Sequence, residues 1–220
     1  MCFSASGSFG IAGVLAGIGA VAMAQEKAPS RRMLGLVPLL FAAQQVAEGV
    51  VWLTIEHPGR SGLQAAAVAV FLGFALVVWP IWVPLSLWAG ERSPRRRRLL
   101  ARLVWVGIGV GIYAAMILVR GRPTARVAGH SIAYDYSETG PALVLALYLP
   151  MYIIPALLPF FVSTISRART MGAVLTLSLV ATFIIERQTL TSVWCFFGAI
   201  LSAVIVLGIS EDHRLVITPV

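Results

Sequence analysis

Seven apolar runs follow one another along the chain, at Ser4–Ala24, Met33–Ile55, Leu63–Ala89, Leu99–Val119, Pro141–Val162, Met171–Ile185 and Thr191–Ile209, with short polar segments between them. A helix needs about 20 apolar residues to cross a bilayer, with a range of 17–25. Six runs meet that requirement. Met171–Ile185 is shorter, which predicts true ends reaching into Ala168–Thr170 and Glu186. The third run carries Trp79-Pro80 and Pro84, which predicts a kinked or tilted helix, and the fifth carries Pro150, Pro155 and Pro159. The pattern predicts an all-α integral membrane protein, a seven-transmembrane-helix bundle formed as a single domain over residues 1–220. The first run has no basic segment before it, so it reads as a retained span rather than a cleaved signal peptide.

Composition strengthens this picture. The chain is 59% hydrophobic and 12% charged, whereas soluble domains carry about 25% charged residues. The net charge of +8 does not point to nucleic acid, because the basic residues occupy the connections between apolar runs. Their distribution instead sets an orientation. Alternate connections hold Lys27, Arg31, Arg32, Arg92, Arg95–Arg98, Arg102, Arg167, Arg169 and Arg214, twelve of the seventeen basic residues. The opposite side holds Arg60, Arg120, Arg122, Arg126 and Arg187. Excess Lys and Arg mark the cytoplasmic side, which predicts the N-terminus outside and the C-terminus inside, in the cytoplasmic membrane. The bilayer is the expected partner, with Arg95–Arg98 lying against anionic lipid.

Against this background Glu48 stands out, a carboxylate inside an apolar run that contains no Lys or Arg. A charge near the bilayer centre costs roughly 2.5–3.5 kcal/mol on insertion scales, so such groups face a protein interior or a wet cavity and mark function. Gln44 and Gln45 precede it at helical spacing and Trp52 follows, giving a stripe through Pro38, Phe41, Gln45, Glu48, Gly49 and Trp52. In the predicted orientation Glu48 lies in the outer half, roughly 10 Å below the span's end at 1.5 Å per residue. The seventh run begins on the same side, with Ser192, Cys195, Ala199 and Ser202 on one helical face and Trp194 beside them. Gln44, Gln45, Glu48 and Trp52, with Ser192 and Trp194, form the predicted ligand pocket. An interhelical polar clamp is the plainer account of the same residues.

The two cysteines, Cys2 and Cys195, begin the first and last runs on the same side. Independent thiols, a Cys2–Cys195 disulfide, and metal or redox chemistry with Glu48 as a further donor all remain open. His57, His130 and Tyr134-Asp135-Tyr136 fall in outer loops, where histidines are usually solvated. Glu186 is placed to pair with Arg187 or Arg126. Nothing comparable lies on the inner side, so the polar chemistry is read as outward-facing. Gly13-x-x-x-Gly17 reads as a helix-packing motif, and the first, second and seventh spans are expected to meet in the outer half.

Three segments resemble the marks of a bacterial membrane-protein family of unknown function. They are Met1-Cys2-Phe3-Ser4-Ala5 with Ser8-Phe9, Pro38 to Trp52 with its Gln44-Gln45 and Glu48-Gly49 pairs, and Ser192-x-Trp194-Cys195-Phe196-Phe197. That resemblance implies no activity, ligand or cofactor; it implies that the three segments belong together.

Several chemistries are disfavoured by residue inventory. A retinal protein needs a lysine in its last span, and the single lysine is Lys27. Histidine-rich zinc hydrolases need histidines within spans, and none lies there. A Gly-x-Ser-x-Gly elbow is absent. The expected function is binding of a small polar or cationic solute at Glu48, for transport or sensing. The alternatives are an intramembrane enzyme using Glu48 with a thiol or metal, and a structural or accessory subunit.

Overall fold

The computed structural model describes residues 4–26, 28–55, 57–135, 142–165, 167–185, 189–200 and 202. Helix α1 spans Ala5–Gln25, its first turn capped by Ser4, whose hydroxyl accepts from the Gly7 N–H at 3.2 Å. Pro29 opens the short α2 (Pro29–Gly35), which passes through Leu36 into α3 (Val37–Thr54) with Pro38 in the first turn of the latter. Next come α4 (Ser61–Leu72), a π-helical segment Gly73–Val78 and α5 (Trp79–Gly90), in one unbroken helical rod. Helix α6 (Pro94–Gly121) ends at Arg122 in the left-handed region, φ 45°. Helices α7 (Ala142–Val162) and α8 (Ala168–Ile185) follow, then α9 (Leu190–Ile200). Helix α8 starts at the Ala168 that the short sixth run anticipated. Residues 141 and 203–209 of the expected fifth and seventh spans lie outside the described residues.

Five stretches are long and apolar enough to cross a membrane: Ala5–Gln25, Arg32–Thr54, Ser61–Gly90, Pro94–Gly121 and Ala168–Ile185, with Tyr148–Val162 and Leu190–Ile200 as shorter apolar helices. Their outward faces are apolar too: Trp105 is 73% exposed and Leu177 69%. Hydrocarbon suits such a surface better than water, which together with the helix lengths suggests a membrane protein. Bundle ends alternate with chain direction. One end collects the arginine-rich connections, and the other carries a feature that the sequence reading left as loop.

That feature is a β-hairpin. Strand β1 (Thr124–Ala128) pairs antiparallel with β2 (Ser131–Asp135) in the register Thr124↔Asp135 through Ala128↔Ser131. Gly129, at φ +60°, supplies the left-handed conformation the two-residue turn requires. The fold is therefore not purely helical. The hairpin's Ile132 is fully buried in the apolar cluster that also holds Ala47, Val51, Phe71 and Cys195, while Tyr134 stacks on Phe71 at 4.6 Å.

The π segment has a local cause and a long-range consequence. The Trp79 N–H bonds to the Phe74 carbonyl five residues back. Continuing that spacing, the Ala75 carbonyl would take its bond from residue 80, but Pro80 has no N–H. The orphaned Ala75 oxygen accepts instead from the Tyr152 hydroxyl of α7 at 2.7 Å, so an internal defect of one helix becomes a bond between two. Helix α6 approaches this irregular stretch closely: a Cβ at Gly107 would clash with the Pro80 oxygen, and one at Gly111 would meet the Ile81 side chain at 2.9 Å. Gly107 and Gly111 are thus the working small-residue pair. The expected pair, Gly13 and Gly17, faces outward with open space around both. Helix α1 meets α3 through Gly19 against Leu39 and through Phe9 against Gly49.

Candidate functional site

Gln44, Gln45 and Glu48 are each 0% exposed, buried in the middle of the bundle as their shared face on α3 predicted. Helix α9 meets that face with Ser192, Cys195, Ala199 and Ser202, all buried, so the four-residue stripe read from spacing is a real contact surface. The Ser192 hydroxyl donates to Glu48 Oε1 at 2.5 Å, and Gln45 Nε2 donates to Glu48 Oε2 at 3.2 Å. Gln44 points the other way: its Oε1 accepts from the Trp79 indole N–H at 2.7 Å. Cys195 lies beside both Gln44 and Glu48. Three helices therefore contribute: α3 the carboxylate and amides, α9 the hydroxyl and thiol, α5 the indole.

Trp79 was missed as a member of the group. In the sequence it stands out only beside Pro80 as a kink signal, whereas in the fold its ring faces α3 and also stacks on Phe41 at 3.9 Å. Two expected members stand apart. Trp52 is half-buried at the hairpin end and packs on the apolar cluster there. Trp194 donates to the Leu175 carbonyl at 3.3 Å and sits edge-on to Tyr152, so it serves the α7–α8–α9 packing rather than Glu48. Among the described residues, Gln44 Nε2, Trp52 Nε1 and the Ser8 hydroxyl are buried without a hydrogen-bond partner.

Glu48 is fully buried among the described residues, and Ala47 and Val51 beside it join the cluster that the hairpin's Ile132 completes.

Cys195 is a free, buried thiol, and Cys2 lies outside the described residues. No group of three His, Cys, Asp or Glu residues suited to a metal occurs among the described residues. His57 is exposed, and His130 is exposed at the hairpin turn. Glu186, Arg187 and Tyr136 lie outside the described residues.

The arginine-rich end holds a second buried carboxylate, which the sequence reading passed over. Glu91, 4% exposed, joins α5 to α6. Its Oε1 accepts from the Ser93 N–H at 2.8 Å and the Thr164 hydroxyl at 2.7 Å; its Oε2 accepts from the Thr164 N–H at 2.7 Å. Desolvation pushes its pKa up, but the backbone donors of Ser93 and Thr164 and the hydroxyls of Thr164 and Ser163 outweigh this and hold it below its ordinary 4.5. Arg96 reinforces the junction by donating to the Val162 carbonyl at 3.0 Å, and Arg97 stacks on Trp88 at 4.7 Å. The polar chemistry is therefore two-ended rather than outward only.

A model described as "Family of unknown function (DUF6629)" matches residues 1–217. No curated protein and no solved structure matches the chain.

Proposed function

We propose, for a chain that belongs to the family of unknown function DUF6629, a seven-span protein of the cytoplasmic membrane, N-terminus outside and C-terminus inside, that binds a small polar or cationic solute at Glu48 for transport or sensing. One observation carries this reading. A carboxylate with two amide neighbours is fully buried inside an apolar bundle, where it accepts from the neutral side chains of Ser192 and Gln45. Intramembrane carboxylates are costly and accompany solute and proton paths. Both partners are adaptable: a hydroxyl donates or accepts, and an amide offers both functions. They can serve Glu48 ionised, neutral or engaged with a cation. The Gln44 amide N–H, beside the Cys195 thiol, supplies a donor for a solute's acceptor atom. In this reading the structure is an occluded state, and exchange requires the hairpin-end cluster to part.

The clamp reading draws on the same hydrogen bonds, since they join α3 to α9. The enzymatic alternative draws on Cys195 beside Glu48. Thermal unfolding in detergent with methylammonium or guanidinium as probe separates the first two. Saturable stabilisation of the wild type, lost in Glu48→Gln, supports a solute site. Equal responses of the two proteins leave Glu48 as a clamp. Alkylation of Cys195 at a rate that depends on Glu48 would favour the enzyme.

A further inference from the structure

Helices α1, α3 and α9 share a buried layer in which Leu15, Phe41 and Ala199 belong to one apolar cluster. A step of seven residues is close to two helical turns, about 10.5 Å, and returns to nearly the same helix face. Taken toward the hairpin end, that step leads from Leu15 to Ser8 on α1, from Phe41 to Glu48 on α3, and from Ala199 to Ser192 on α9. Two contacts fix the register of this second layer. The Ser192 hydroxyl donates to Glu48, which joins α9 to α3. Phe9, the chain neighbour of Ser8, packs on Gly49, the chain neighbour of Glu48, which joins α1 to α3 at the same height.

Ser8, Glu48 and Ser192 are each 0% exposed. Ser8 differs from the other two, because its hydroxyl has no hydrogen-bond partner among the described residues. A hydroxyl on a helix has the carbonyls of the preceding turn at hand. Thr54, Ser86, Thr176, Ser178 and Thr182 all donate to one. Ser8 leaves that option unused, on the face that α1 buries along with Ala12 and Leu15. A buried hydroxyl without a partner costs free energy, and a ligand that supplies the bond recovers it.

We infer that Ser8 is a further binding residue of the Glu48 site and that the solute is a primary ammonium, an inference that rests on the solute reading of Glu48. Three helices each bring one oxygen-bearing side chain to a single layer. A primary ammonium carries one positive charge and three N–H donors. The Glu48 carboxylate answers the charge and takes one donor, and the two serine hydroxyls accept the others. Serine both donates and accepts, so Ser192 can turn from Glu48 to the solute. A quaternary ammonium would leave the Ser8 hydroxyl unsatisfied, and a guanidinium spreads its donors in a planar fork suited to a carboxylate alone.

Thermal unfolding of the full chain in detergent, titrated with methylammonium, dimethylammonium and tetramethylammonium, tests the inference. The wild type should be stabilised saturably, with half-saturation about tenfold lower for methylammonium than for dimethylammonium, the order of one hydrogen bond to a charged group. Tetramethylammonium should give no saturable response. Ser8→Ala should raise the methylammonium half-saturation about tenfold and bring the first two probes level. Its unfolding temperature without any probe should stay at or above that of the wild type, because the hydroxyl removed has no partner to lose. A methylammonium response that disappears in Glu48→Gln and is unchanged in Ser8→Ala overturns the role of Ser8 and leaves the solute site standing. Equal responses of the wild type to methylammonium and tetramethylammonium overturn the ammonium class, since charge alone is then being read. A lowered unfolding temperature of Ser8→Ala without probe assigns the hydroxyl to packing within the bundle and overturns the inference. No saturable response of the wild type to any of the three overturns the inference together with the solute reading.

Discussion

Two buried glutamates in one chain are held in opposite ways. Glu91 accepts from two backbone N–H groups, at Ser93 and Thr164, which cannot turn away or reverse polarity, as well as from the Thr164 hydroxyl. Glu48 accepts from two side chains, the Ser192 hydroxyl and the Gln45 amide, which can rotate and exchange donor for acceptor. The first arrangement fixes a charge at the membrane edge and locks the α5–α6 junction to the α7–α8 junction. The second leaves its carboxyl adaptable in the middle of the bundle. Burial alone does not distinguish a fixed acid from an adaptable one; the chemistry of the partners does.

That contrast can be broken by substitution. Glu91→Ala should have the largest effect, since it orphans the Ser93 and Thr164 donors together. A loss of about 2–4 kcal/mol is expected from unmade bonds to a charged group, read as thermal or denaturant unfolding in detergent. Ser192→Ala should cost less, about 1–2 kcal/mol, because it removes one side-chain donor while the Gln45 amide still donates to the carboxyl at 48. A loss equal to that of Glu91→Ala would show that Glu48 is as fixed as Glu91, and the comparison would fail. Tyr152→Phe should cost about 1 kcal/mol by stranding the Ala75 carbonyl, and it should leave solute response at Glu48 in place.

Acidity sharpens the comparison further. Glu91 has its carboxyl below the ordinary 4.5, so its contribution is fully present above that value and is lost as pH falls through the lower folded value. Unfolding followed from pH 6 downward should show a stability loss in the wild type that is absent in Glu91→Gln. The smallest effect is expected for Glu48→Gln. The amide keeps the shape and can still accept from Ser192, so stability should change by less than about 1 kcal/mol, while the response to methylammonium disappears.

What could be read from the sequence follows from how local each signal is. Glu48 was legible because a carboxylate in an apolar run is anomalous by itself, and the spacing of Gln44, Gln45 and Ser192 on their helices placed them with it. Membership of a family of unknown function was also anticipated, and the family model covers residues 1–217. Glu91 was not, since beside Arg92 it resembles any connection residue, and its decisive partner Thr164 is 73 positions away. The hairpin did leave a trace in Thr124–Ala128 and Ser131–Asp135 around Gly129-His130, with Thr, Val, Ile and Tyr in the strands. The strongly apolar surroundings drew attention away from two five-residue runs. Glycine spacing misled at Gly13 and Gly17, because the motif states that close approach is allowed and not which helix makes use of it.

The π-helical stretch Gly73–Val78 also sets the protein's tolerance to length change. One residue of an α-helix corresponds to a rotation of about 100°. Deleting a single position within that stretch would restore regular winding and swing α5 about its axis relative to α4, carrying the Trp79 ring off Gln44 and Phe41. The junction between the hairpin half and the arginine half of this span is therefore encoded as a count. Point substitutions there can be absorbed by packing, whereas a one-codon deletion would rewire the bundle.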